Sequence, residues 1–567
     1  MAGPRKGKSA AASADIIDVP GTALVTTGPR ENAMGGGLEG AERLSRETML
    51  WAPPIISPDR QINPVKELAD ARARDSVQND GLAMGAIHTH RDSIVGASYR
   101  MICSPNIKVL GPKFTEEWAD EWAEYIETRF NLLANSTENW FDASGDMSFT
   151  EIIRLGITGY LLTGEVLGTA EWLAERKERP FFTAIQTVSP TRLSNPNGGM
   201  DTATIRRGIE LDHHGRSVAY HIRSGHPGDF WPYDAFPLWK RIAAFKPWGR
   251  RQVIHIAERL QPDQTRGISD MVSVLKQMRM TKKFQDITLQ SAVVNATYAA
   301  AVESELPTDV VFSSLGAGGG GLQGALGDYM SALASYVSGA SNIAIDGVKM
   351  PHLFPGTKLK VQSAGTPGGV GTSYEESLLR NIASPLGLSY EQFSKDYTKT
   401  NYSSARASMA ETWKFMQSRK KIVSDKQATM IAVLWLEEEV NYMQNDLPLP
   451  AGVTRAQFKS MFYDPVMREA ICSFSWIGAS RGQIDEVKET QAAVMRINAG
   501  LSNRQTETAR LGEDYREVLR QAAREQKLAK SLGLEFGTEA TKPGANDRQQ
   551  TMSDNSDGKN QREEEDE

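Results

Sequence analysis

Hydrophobic positions are sparse and unpatterned at the start of the chain. Residues 1–45 are rich in Gly, Ala, Ser and Thr, with the run MGGGLEG at Met34–Gly40, and such a composition predicts a disordered arm. Order begins near Leu50, where WAPPIISPDRQINPV reads as an extended, proline-punctuated lead-in. From about Val65 to Ser98 apolar residues recur at helical spacing, with Leu82, Ala86, Ile87, Ile94 and Val95 after Gly81. The pattern predicts an amphipathic helix pair packed on a sheet. Phe114–Phe130 sets Trp118, Trp122, Tyr125 and Ile126 on one face and acids on the other, a further helix, and Phe149–Thr163 reads as another. Between Gly164 and Ile256 the period becomes two. GEVLGTAEWL, FFTAIQTVSP, RRGIELDHHGRSVAYHIR and VIHI read as strands, with a hairpin over Ile205–Ile222 turning at His214-Gly215.

A long helix, or two in line, is predicted from Ser269 to Glu303. A loop from Ser313 to Gly327 follows, with six glycines between Gly316 and Gly324, then a polar stretch to Pro355 and a short strand at Lys358–Ser363. Helix returns at Tyr374–Ser384, breaks at Pro385-Leu386-Gly387, and resumes from Ser404 to about Asn441. Gln483–Leu532 is helical and highly charged. No repeat at solenoid or propeller period interrupts this order.

Composition narrows the function classes. The 567 residues, 40% hydrophobic and 24% charged, suffice for several cores and exclude collagen-like, coiled-coil and wholly disordered chains. The net charge of −6 is concentrated at the end, where Asp547–Glu567 holds eight acidic and three basic residues. The nearly neutral remainder argues against a protein that coats duplex DNA by displacing its counterions. Cys103 and Cys472 stand far apart, so neither a disulfide framework nor a cysteine zinc site is expected, and a reducing cytoplasm fits best. No apolar run reaches the roughly 20 residues that cross a bilayer, and the basic N-terminus lacks the apolar stretch of a secretory signal. These features predict a soluble protein with no membrane partner.

No motif asks to be a catalytic site. GAGGGGLQGALGD lacks the Gly-Lys-Ser/Thr ending of a phosphate loop. His88 and His90 are two residues apart, and His213 and His214 fall at a hairpin tip, so both pairs read as ordinary surface or turn histidines and no metal is expected. Glu437-Glu438-Glu439 reads as a solvated helix face. There is no HExxH, no nucleophile elbow, and no Ser nucleophile with a placed base, so neither an enzyme nor a cofactor is expected. The informative segment is Ser394–Lys421. Lys395 and Lys399 flank Tyr397 in a short polar loop, Asn401, Ser403 and Ser404 offer capping side chains, and Met409, Trp413 and Met416 form a packing stripe. Lysines and a tyrosine at such a tip can touch a phosphate backbone without reading sequence.

RARDSVQNDGLAMGAIHTHRDSIVGASYRM, GYLLTGEVLGTAEW, IQTVSPTRLSNPNG, VIHIAERLQPDQTRGISDM and FSKDYTKTNYSSARASMAETWKFMQSRKKIV, in that order, resemble the portal proteins of tailed bacteriophages, specifically the lambda-type family, over about Trp51–Lys527. The resemblance implies an α+β multidomain, ring-forming portal fold of about twelve copies. Its parts would be a disordered arm at 1–49, an α/β wing at 50–267, a first stem helix at 268–300 and a small mixed clip at 301–370. A second stem helix would follow at 371–389, a tunnel loop at 390–402, a long helix with wing return at 403–480, a helical crown at 481–535 and an acidic disordered tail at 536–567. It further implies a place at the capsid portal vertex of the virion, after assembly in the host cytoplasm, and no enzymatic activity. The implied partners are double-stranded DNA bound without sequence preference, the terminase large subunit, a head-tail adaptor or head-completion protein, and the major capsid and scaffold proteins. Lys395, Tyr397, Lys399 and Asn401 would face the DNA channel. The alternative is a terminase-like packaging enzyme, which requires a phosphate loop and acidic metal ligands that the chain lacks.

Overall fold

The computed structural model describes residues 50–229, 238–299, 331, 343–345, 348–350, 371–442, 447–482 and 485–534. The expected arm at 1–49, the glycine-rich loop, the Lys358–Ser363 strand and the acidic tail lie outside them. Two units divide the chain, Met1–Ile56 and Ser57–Glu567, and every element below belongs to the second.

The expected helix pair is α1 (Lys66–Asn79) and α2 (Gly81–Ile94), parted at Asp80, whose carboxylate caps α2 by accepting from Leu82 N–H. The pair packs on helix rather than on sheet. After β1 (Arg100–Cys103) comes α3 (Glu116–Ala134), capped by Thr115 and burying Trp118, Trp122, Ile126 and Phe130. A full capping box between Ser148 and Glu151 starts α4 (Phe149–Thr163). This helix, against which both α1 and α2 lie, ends at Gly164 with φ +75°. A Cβ at Gly164 would stand 2.3 Å from Ile268 N, so only glycine permits the close approach of the two backbones.

Strands β2 (Glu165–Trp172) and β3 (Thr183–Thr187) are followed by β4 (Ile205–Arg206), β5 (Ile209–Leu211), β6 (Ser217–Arg223), β7 (Trp239–Ala243) and β8 (Val253–Ala257). They make two antiparallel sheets, one ordered β3-β2-β8 and the other β4-β5-β6-β7. The predicted hairpin is β5–β6. Its tip is held by Asp212, whose carboxylate accepts from the backbone N–H of His214 and Arg216.

Ser269 caps a short turn into the long helix α5 (Leu275–Ala299). The hairpin β9 (Ile343–Ile345) and β10 (Val348–Met350) follows, then α6 (Gly371–Ala383) and α7 (Tyr390–Ser394). The predicted Ser404–Asn441 helix is α8 (Tyr402–Arg419) joined to α9 (Asp425–Tyr442) through a π-helical turn at Lys420–Ser424. Next come α10 (Arg455–Phe462), α11 (Pro465–Ile471) and β11 (Phe474–Ile477), which returns to pair antiparallel with β1. The charged C-terminal stretch forms α12 (Glu486–Asn498), α13 (Arg504–Arg510) and α14 (Tyr515–Ser531).

Helix α9 runs through the main core and is buried on every side along Ile431–Val440. Here the solvated-face expectation for Glu437-Glu438-Glu439 is overturned, since the three are only 6%, 3% and 0% exposed. Each carboxylate has its own partner. Glu437 accepts from Arg250, Trp248 and Tyr463, Glu438 from the backbone N–H of Phe182 and Thr183, and Glu439 from Arg129. Successive residues point about 100° apart on a helix, so one triplet ties α9 to β3, to the Trp248–Arg250 turn and to α3.

A second buried polar cluster fixes the start of α5 to the body. Arg266, fully buried, donates two hydrogen bonds to Glu165 at 2.8 and 2.7 Å, and Gly267 N–H donates to the same carboxylate at 2.6 Å. Lys66 lies beside them, donating to Thr163 O and paired with Asp70 at 3.2 Å. Burial lowers the Lys66 pKa and raises that of Asp70 to about 6, whereas the Arg266 and Lys66 charges hold Glu165 well below the usual carboxylate range against its own desolvation.

Candidate functional site

The loop that carries the candidate residues is short and strongly braced. Ser389 and Gln392 form a capping box at the head of α7, and Lys395 ends that helix in the left-handed region with φ +60°. Asp396 then makes an Asx turn, accepting from Thr398 N–H and Oγ1–H at 3.0 and 2.6 Å. Asn401 caps α8 by accepting from Ser404 N–H at 2.8 Å, the capping role read from its type.

Lys395, Tyr397, Lys399 and Asn401 are all exposed, and the structure brings the four together on one tip. Tyr397 points no hydrogen bond at the protein among the described residues. The two ammonium groups are tethered, Lys395 to Thr89 Oγ1 at 3.2 Å and Lys399 to the carboxylate of Glu376 on α6. That hydrogen bond raises the Lys399 pKa and lowers that of the half-buried Glu376. The pairing was not visible in sequence, because Glu376 is 23 residues away.

The base beneath the tip is rigid for identifiable reasons. Gly387 adopts φ +64°, and a Cβ there would lie 2.4 Å from the Phe415 ring of α8. His90 of α2 approaches Leu386 O at 2.9 Å with Nε2, and burial pushes its pKa down to about 4, with the Arg419 charge adding to the effect. The ring is therefore neutral at pH 7 and Nε2–H donates. Of the four singled-out histidines, His88, His213 and His214 are exposed as expected, but His90 is a buried strut. At the π turn, Arg419 stacks over Tyr160 and Phe415 and pairs with Asp270 at 2.7 Å, while Lys420 pairs with Asp425 at 2.7 Å and donates to Trp476 O. Of the expected stripe, Met416 is buried against this base and Met409 is exposed.

Among the described residues no group of three or more His, Cys, Asp or Glu is placed to hold a metal, and no helix is long and apolar enough to cross a membrane.

The family model for phage portal protein, lambda family, matches residues 44–420. The chain is 36% identical over 502 residues to the portal protein of Escherichia phage N15, covering 88% of this chain and 90% of that protein. It is 36% identical over 486 residues to portal protein B of Escherichia phage lambda, covering 85% and 88%. The chain belongs to the lambda family of phage portal proteins. Its function is that of a portal protein, a structural and non-enzymatic component of a phage virion, and the terminase-like alternative falls. A probable portal protein of Halomonas phage phiHAP-1 is 21% identical over 481 residues, covering 82% of this chain and 80% of that protein. A chain from the neck of a native gene transfer agent particle aligns over 81% of this chain and 95% of its own at 12% identity, with a TM-score of 0.33, too low to say anything of this family member's arrangement. Mixed helix and sheet, expected from the sequence, is what the portal chain has.

Proposed function

We propose that the chain assembles as a closed ring of about twelve copies at the portal vertex of the capsid, formed in the host cytoplasm, and that double-stranded DNA passes through its centre during packaging and ejection. In this reading the body up to residue 267 is the wing and α5 and α6 are the stem. Residues 301–370 form the clip that docks the terminase large subunit and later the head-tail adaptor or head-completion protein. Residues 390–402 are the tunnel loop and α12–α14 the crown, and the capsid and scaffold proteins grip the outside.

The observation that carries the reading is the tip at Lys395–Asn401. It is exposed, cationic and supported on a base packed around the buried His90, Phe393 and Met416. Its ammonium groups already have partners, so a phosphate must compete with Thr89 and Glu376, and contacts that compete in this way are weak and indifferent to sequence. Weakness suits passage, because each tight lysine–phosphate contact adds affinity that the packaging motor has to overcome.

The test combines mass and function. Native mass spectrometry with negative-stain imaging of the purified chain is expected to give rings of about twelve copies with a central hole; a chain that stays monomeric at assembly concentration speaks against a ring. The double variant Lys395→Ala, Lys399→Ala should assemble normally and change the length or retention of packaged DNA. Unchanged DNA length and yield would remove the loop from the channel.

A further inference from the structure

Helix α5 leaves a row of cations without partners. Its first turns, LKQMRMTKKFQDITLQ from Leu275, hold Lys276, Arg279, Lys282 and Lys283 against a single acid, Asp286. One side is committed to the protein. Leu275, Met278 and Thr281 are buried, Phe284 meets Tyr374 of α6 edge-on at 6.4 Å, and Lys282 donates to Asn79 O at the end of α1. Lys276, Arg279 and Lys283 fall on the other side, because steps of three and four residues return to one face, and all three are exposed. Among the described residues none of the three has a carboxylate within 4.0 Å or any hydrogen-bond partner, and Asp286, one turn on, pairs with none of them.

Cations that brace the fold are paired, whereas exposed ones such as Lys414 and Lys527 also lack a partner among the described residues, so what sets the α5 row apart is its alignment on one helix face. Arg419, Lys420, Arg516 and Arg520 are each paired with a carboxylate, and even the exposed Lys399 is tied to Glu376. The row on α5 spans about 10 Å at 1.5 Å per residue. B-DNA presents one charge per about 1.7 Å of axis, so three flexible cations over that length meet phosphates at whatever register the duplex takes. Met280 and Ile287 lie alongside the row and are exposed, which makes a neighbouring copy the competing occupant. Lysine is depleted from the buried centres of protein interfaces, whereas a phosphate chain needs such groups hydrated and mobile.

The geometry points to Lys276, Arg279 and Lys283 of α5 as a contact stripe for the phosphate backbone of double-stranded DNA, separate from the loop at Lys395–Asn401. The assignment rests on the conduit reading above. It adds to the loop, whose lysines are tethered, a helix face whose three cations have no partner among the described residues.

The test uses the full-length triple variant Lys276→Gln, Arg279→Gln, Lys283→Gln, which keeps good helix formers in place. Assembly is read by native mass spectrometry, and the affinity of the ring for a short mixed-sequence duplex is read as a function of NaCl. Three phosphate contacts made by one copy weaken binding roughly 40-fold between about 50 and 200 mM salt, and each further copy that touches the duplex steepens the slope. The triple variant should lose that dependence, each single variant about a third of it in the logarithmic slope, and Lys395→Ala, Lys399→Ala less than the triple. An intact ring with an unchanged slope overturns the stripe and leaves the portal ring standing. Loss of the ring in the triple variant makes the row a contact between copies and also overturns it. A wild-type chain that forms no ring defeats the conduit reading, and the stripe with it.

Discussion

Replacing Glu438 by alanine should cost far more than any surface carboxylate, and the amount follows from two hydrogen bonds. Its side chain is 3% exposed and accepts from Phe182 N–H at 2.7 Å and Thr183 N–H at 2.8 Å. Thr183 opens β3, whose register with β2 pairs it with Trp172. Alanine strands both buried donors, at about 1–3 kcal/mol each, so the variant should lose roughly 2–6 kcal/mol, whereas an exposed control such as Glu525→Ala should stay within about 0.5 kcal/mol. Glu438→Gln should fall between, since the amide keeps one acceptor oxygen but turns a donor toward the second N–H. A chain of this size is unlike a single two-state domain, so thermal melting should be paired with amide hydrogen exchange over residues 181–187. Accelerated exchange there, with a melting drop of several degrees, is the expected result. If Glu438→Ala melts with the Glu525→Ala control and the β3 amides exchange as in wild type, the carboxylate does not hold the strand and the account of α9 is wrong.

Other expectations concern the loop base, pH and salt. Gly387→Ala places a Cβ against the Phe415 ring at a positive φ, so it should loosen α7 and the loop, seen as faster proteolysis within 395–401 than in wild type; equal rates would refute the wedge. Burial pushes Glu127 up to about 7, above its ordinary value. The folded state then binds that proton more tightly than the unfolded one, and stability falls as pH rises from about 4.3 toward 7. Glu127→Gln, which still accepts from Cys103 N–H, should accordingly gain on wild type between pH 5 and pH 8 in melting temperature; a constant difference would deny the shift. Finally, α14 is held to α3 by the exposed pairs Arg516–Asp120 and Arg520–Glu124, while Val518, Leu519 and Leu528 stay in water. Salt shortens the screening length from about 10 Å at 0.1 M to about 3 Å at 1 M, so protease cutting near Leu511–Tyr515 should speed up in high salt, and indifference to salt would show that the helix is held otherwise.

What could be read from the sequence was what local physics decides. Helical period, Asn401 before Ser403 and Ser404, and the alternation in Ile205–Ile222 all act within a few residues, and the helices, the cap and the hairpin stand where they were expected. The misreadings share a cause. Glu437-Glu438-Glu439 is polar, and polarity ordinarily means solvent, but its partners Arg129, Arg250 and the β3 backbone come from distant segments. His90 likewise meets Leu386 across 296 positions. The pairing of β1 with β11 joins Arg100 to Ile477, and neither four-residue strand is long enough to announce itself. At the candidate loop the residues and their exposure were legible and their tethers to Thr89 and Glu376 were not, since nothing in a lysine's neighbours along the chain names its distant acceptor.

The π turn at Lys420–Ser424 gives the chain an angular setting as well as a bend. An ordinary helix advances about 100° with each residue, and the wide turn accommodates one residue more than an α-helical path would need. Deleting a single residue there would leave a continuous helix from Tyr402 to Tyr442 and, with α9 fixed in the core, turn α8 about its axis by about 100°. Arg419 would leave Asp270, and Asn401 with the tip it caps would face another way. Chain length in those five residues thus acts as a dial for the direction in which the tip points.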